Sequence, residues 1–115
     1  MTGPPGPAGT ARAYAVVRPA SPTTAELIAG QSVNVTGVSE PSPGVYCLAP
    51  AAAVSPATDT AAVSPEVSYS SGGTPGVIAV NAQHPHCPTG FEVDTYAPPA
   101  DTTLTSGYAF TIVIP

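Results

Sequence analysis

The chain of 115 residues has no lysine and no tryptophan, one methionine, and only two arginines, Arg12 and Arg18. Charged residues make up 8% of it, and seven acids against two bases leave a formal net charge of −5. Without a basic patch there is nothing to displace counterions from a phosphate backbone, which excludes nucleic-acid binding by charge. The same shortage excludes electrostatic adhesion to an anionic membrane surface. No apolar run approaches the roughly 18 residues of a membrane-spanning helix. Helical signals are nearly absent, because proline interrupts almost every interval. Also missing are a Gly-x-Ser-x-Gly elbow, a phosphate-binding loop and a His-Glu-x-x-His pair, so no enzyme activity is expected. The N-terminus carries neither a basic n-region nor an apolar h-region. An export signal is therefore expected upstream in a longer parent, or to be dispensed with, as in a phage particle.

Proline and glycine are what the chain has in excess, 16 and 11 residues, yet 43% of it is hydrophobic. That much proline and glycine without a period ordinarily signals disorder. Here β-branched residues group in short runs between turn signals, which argues for a folded, loop-rich sheet protein. Strands are predicted at residues 13–18, closed by Pro19, and at 26–29, ended by Gly30. Further strands are predicted at residues 32–38, 45–49, 77–81, 91–96 and 108–114. Two similar pieces, 53–56 and 62–65, are expected to supply one or two edge strands ended by proline. Residues 69–76 form the clearest loop. Seven or eight strands in about 100 residues imply an all-β domain, a small antiparallel sandwich or compact jelly roll.

Cys47 and Cys87 stand 40 positions apart, each at a strand or its margin. A disulfide between them would stabilise the fold by roughly 4 kcal/mol in the chain-entropy model. The alternative is two buried thiols acting as small apolar residues. His84-Pro85-His86-Cys87 is the one cluster of metal-ligand types, but oxidation of Cys87 leaves two histidines, and an exposed proline-rich turn is the expectation. Glu92 and Asp94, two apart in a strand, face the same side. With Asp101 they offer oxygen ligands for calcium, against the plainer reading of a solvated strand face. As glycosidase carboxylates they lack a cleft. No metal site and no cofactor is expected. Asn34-Val35-Thr36 matches a glycosylation sequon. Of five tyrosines, Tyr14, Tyr46 and Tyr108 fall in strands, as core or interface residues. Tyr69 and Tyr96 flank loops and, with His84 and His86, are the candidates for a recognition surface.

The start of the chain follows a different rule. Gly3-Pro4-Pro5, Gly6-Pro7-Ala8 and Gly9-Thr10-Ala11 are three Gly-X-Y triplets in register. Glycine at every third place is what a collagen triple helix requires, because no side chain fits where three chains meet on the axis. Three triplets cannot hold a triple helix alone, so residues 1–11 read as a stub and residues 12–115 as a head domain. The segments Ala13-Tyr14-Ala15-Val16-Val17, Gly44-Val45-Tyr46-Cys47-Leu48, Cys87-Pro88-Thr89-Gly90-Phe91-Glu92-Val93 and Phe110-Thr111-Ile112-Val113 resemble the β-rich C-terminal head of bacterial and phage collagen-like proteins. The resemblance implies an extracellular fibre tip or surface appendage, on a cell or a virion. The expected function is structural: a homotrimeric head that aligns three chains. The alternative is a tip, as on a phage tail fibre or adhesin, that binds a cell-surface glycan or receptor through loops 69–76 and 84–89.

Overall fold

The structure, a computed structural model, describes residues 11–21, 24–52, 54–67, 70, 74–80, 86–98, 100 and 102–115. Among these residues the chain forms eight strands. They are β1 (Ala13–Ser21), β2 (Thr24–Leu27), β3 (Val35–Ser42), β4 (Val45–Pro50), β5 (Ala62–Glu66), β6 (Gly76–Val80), β7 (Phe91–Tyr96) and β8 (Ala109–Ile114). They build two antiparallel four-stranded sheets, ordered β2-β1-β8-β5 and β3-β4-β7-β6. The fold is all-β, two facing antiparallel sheets as expected of a small sandwich. Consecutive strands β1–β2, β3–β4 and β6–β7 pair with each other inside one sheet.

Period-two alternation places the core between the sheets. Ala13, Ala15 and Val17 of β1 stand opposite Ile114, Ile112 and Phe110 of β8, so a small residue sits beside each larger one. From the second sheet come Tyr46, Leu48, Phe91 and Val93. The ring of Tyr46 meets that of Phe110 edge-on, with centroids 5.2 Å apart. This contact ties β4 to β8 across the sandwich and is a favoured aromatic geometry.

Asn34 makes the corner between the sheets. Val33 bridges Tyr14 in the first sheet, while Val35 pairs with Pro50 in the second. Asn34 between them has φ of 60°, a left-handed conformation that asparagine tolerates better than most residues. Its side-chain amide donates to the Arg12 carbonyl oxygen at 2.7 Å. That bond holds the corner to the start of β1.

Several prolines behave differently from the sequence expectation. β1 does not close at Pro19 but continues to Ser21, with a register shift between Pro19 and Ser21. β3 starts three residues later than expected and passes Pro41, again at a register shift. β2 begins at Thr24 and ends at Leu27, earlier at both ends than expected. Pro65 lies inside β5, opposite Phe110, rather than ending it. β5 is an edge strand, so a residue without an N–H is tolerated on its open side. Of the two look-alike pieces only 62–65 is a strand; residues 54–56 lie in a turn segment, and Ala53 is outside the described residues.

Candidate functional site

The chemistry of this domain gathers on the outer face of the second sheet. In β7, Phe91, Val93 and Thr95 point inward, which turns Glu92 and Asp94 outward on one face. The same-side expectation holds; the solvated face does not. Glu92 is 2% exposed and Asp94 8%. For Glu92 the cover is the segment after residue 85. Cys87 is disulfide-bonded to Cys47, and Cys47 is the cross-strand partner of Glu92, so the bridge fastens this segment over the carboxylate. Gly90 permits the return: a Cβ there would stand 2.7 Å from the Leu48 carbonyl oxygen, closer than any other residue allows.

Inside this cover Glu92 is well supplied with donors. The His86 backbone N–H donates to Glu92 Oε1 at 3.1 Å, and His86 Nδ1 donates to Oε2 at 2.9 Å. Burial raises the Glu92 pKa, but the hydrogen bonds from His86 and Asp94 outweigh it and hold the group below its ordinary value. The imidazole, which remains half exposed, is correspondingly raised by its bond and its attraction to Glu92. Asp94 is the counterpart. Burial first, then the hydrogen bond and repulsion from Glu92, push its pKa up to about 6. Its Oδ1 is buried without a hydrogen-bond partner among the described residues. Val45 and Ile78, its cross-strand neighbours, offer no charge or donor from their side chains. The three groups therefore titrate as a unit: as pH falls the raised imidazole takes up a proton first, and Asp94 follows at about 6.

Beside them a groove of about 320 Å³ runs along the bridge, bordered by Ser39, Pro41, Cys47, His86, Pro88 and Thr89. Its walls are apolar or weakly polar and carry one ionisable ring. Among the described residues no three His, Cys, Asp or Glu side chains converge as metal ligands. With Cys87 in the bridge, the His-Pro-His-Cys run keeps no thiolate to offer a metal.

Of the other candidates, Tyr96 stands apart from this site. Tyr69 and His84, like Asp101, lie outside the described residues. Tyr96 closes β7, pairing with Gly76 and bridging Leu104. It is four residues from Glu92, roughly 13 Å along the strand, so it and His86 serve opposite ends of β7. Tyr46 and Tyr108 are buried, as the strand assignment expects, and Tyr14 is exposed.

A second polar cluster had no sequence signature. Glu40 accepts hydrogen bonds from the Gly44 N–H, at 3.2 Å, and from the Ser106 hydroxyl. The Tyr46 hydroxyl joins Glu40 and Thr95, and burial followed by the Glu40 charge pushes its pKa up to about 12. Thr95 Oγ1 donates onward to the Thr105 carbonyl at 2.7 Å. These partners lie up to 66 residues apart, so only chain reversal brings them together. Set against protein families, curated proteins and solved structures, the chain matches none of them.

Proposed function

We propose that this protein is a non-enzymatic structural module, the trimerising head of a collagen-like fibre or surface appendage outside the cell. The observation that carries the reading is the register of Gly3, Gly6 and Gly9 directly ahead of a strand that is anchored on all sides. Arg12 donates its N–H to the Ile114 carbonyl at 3.0 Å, and its guanidinium bonds Asp59 at 2.6 Å and the Pro115 carbonyl at 2.7 Å. A pull on the stub is thus delivered into β1, a central strand, and from there into β8. The mechanism is effective concentration: three associated heads hold three Gly-X-Y segments together in register and remove much of the nucleation cost of a triple helix. The Cys47–Cys87 bridge suits an oxidising, extracellular setting.

Sedimentation equilibrium on the chain tests this. The expected mass is three times that of the 11.3 kDa chain, and a monomer at every concentration refutes the reading. A second reading, a receptor- or glycan-binding tip, is favoured by the groove beside His86 and Thr89. It predicts retention on intact cells or a glycan array that substitution of His86 and Thr89 abolishes. No retention on any surface leaves assembly as the function.

A further inference from the structure

We propose that a second copy of this chain docks on the outer face of the first sheet, at its stub-bearing end, around the row Val33–Tyr14–Val113. The inference rests on the trimer reading and adds where the subunits meet.

The placement follows from the geometry of a triple helix. Its three backbones crowd around one axis, so three heads that follow three Gly-X-Y segments must begin close to that axis. Whatever surface surrounds residue 12 is then brought against its copies. Arg12 is itself committed, its backbone to Ile114 and Asn34 and its side chain to Asp59 and Pro115. The next outward-facing side chain is Tyr14, since Ala13 and Ala15 point into the core.

Tyr14 stands in a row. It bridges Val33 on one side and pairs with Val113 on the other, and direct cross-strand partners share a face. Tyr14 is 38% and Val33 42% exposed, while Val113 is half-buried. The adjoining row holds Val16 opposite Thr111, both uncharged. The arginines that border the face are matched by acids: Arg12 meets Asp59 at 2.6 Å and Arg18 meets Glu26 at 2.6 Å. Covering the face therefore buries no uncompensated charge, and it presents a tyrosine amid uncharged side chains; interface cores are enriched in aromatics and depleted of charge. The other exposed large apolar residues do not form such a row. Ile78 lies on the second sheet, Leu104 bridges that sheet, and Val67 follows β5 at the end away from Arg12.

The test compares the sedimentation mass of the full chain with those of Tyr14→Asp, Val33→Asp and Ile78→Asp, each checked for a sheet circular-dichroism spectrum and a cooperative melt. The wild type and Ile78→Asp are expected at three chain masses. Tyr14→Asp and Val33→Asp are expected at one, a threefold loss of mass with the fold kept. If Tyr14→Asp does not fold, Val33→Asp decides. Two folded variants that remain trimers overturn this surface while leaving the trimer standing, as does a loss of the trimer in Ile78→Asp alone. A wild type that is monomeric throughout sinks the trimer reading and this surface with it.

Discussion

Replacing Asp94 by asparagine should make the domain more stable at neutral and alkaline pH and leave it little changed in acid. Asp94 is 8% exposed, one of its oxygens lacks a partner, and Glu92 stands beside it on the same face. Its pKa rises from 3.8 to about 6, mainly through burial and then through Glu92. A shift of about two units is worth about 3 kcal/mol. Because the folded value lies above the unfolded one, that contribution is complete below the unfolded pKa and is lost as pH rises through about 6. Glu92 has the opposite sign: held below its ordinary 4.5, it stabilises fully above that pH and loses its contribution as pH falls further. His86, raised above its ordinary 6.5, adds stability below that pH that disappears as pH climbs through its folded value. Together these place maximum stability near the unfolded carboxyl values, 3.8 to 4.5, with a decline as pH rises from there through about 6. Asparagine removes the charge and keeps a donor toward Glu92. The advantage of Asp94→Asn over wild type should thus be about 3 kcal/mol larger near pH 8 than near pH 4, on the order of 10 °C in melting temperature. Urea unfolding at a series of pH values measures it. A difference between the two proteins that does not vary with pH would refute the assignment of a shared proton to this pair.

Other outcomes follow from the same structure. Reduction of the Cys47–Cys87 bridge, or Cys47→Ser with Cys87→Ser, should cost about 4 kcal/mol for a separation of 40 residues, read as a lower denaturant midpoint. It should also release His86, so the histidine pKa measured by NMR falls back toward its ordinary value. Gly44→Ala should cost at least about 2 kcal/mol. Its φ is 78° and the added Cβ would meet Thr105 N at 2.6 Å and Thr95 O at 2.8 Å, both backbone; calorimetry checks it. Tyr46→Phe leaves Glu40 and Thr95 without the hydroxyl and should cost about 1 kcal/mol. In an alkaline absorbance titration the same substitution should remove a phenol that ionises only near 12.

Most of the sheet framework is present in the order of residues. Strands β4, β6, β7 and β8 lie where alternation and β-branched runs put them, because inward and outward positions must differ in polarity when one face of a sheet is buried. The Cys47–Cys87 pairing follows from there being two cysteines to pair. The errors cluster at proline. Pro19 and Pro65 read locally as stops, but whether a missing N–H matters depends on having a neighbour on that side, which is a property of the assembled sheet.

The candidate site shows the same division. That Glu92 and Asp94 share a face is a consequence of the two-residue period and needed no structure. That they are buried does not follow from their own strand at all. For Glu92 it is decided by a bridge to β4 that fastens His86 beside it, and the His86 hydrogen bonds are what separate two desolvated carboxylates into one held low and one pushed up. The Glu40–Tyr46–Ser106 cluster was invisible for a related reason, since its members are joined only after the chain has crossed between the sheets. Local sequence thus determined the strands, their inward faces and the Gly-X-Y register. The tertiary structure decided which polar groups lose water and which partners they find, because desolvation and hydrogen bonding depend on distances in space that separation along the chain does not encode.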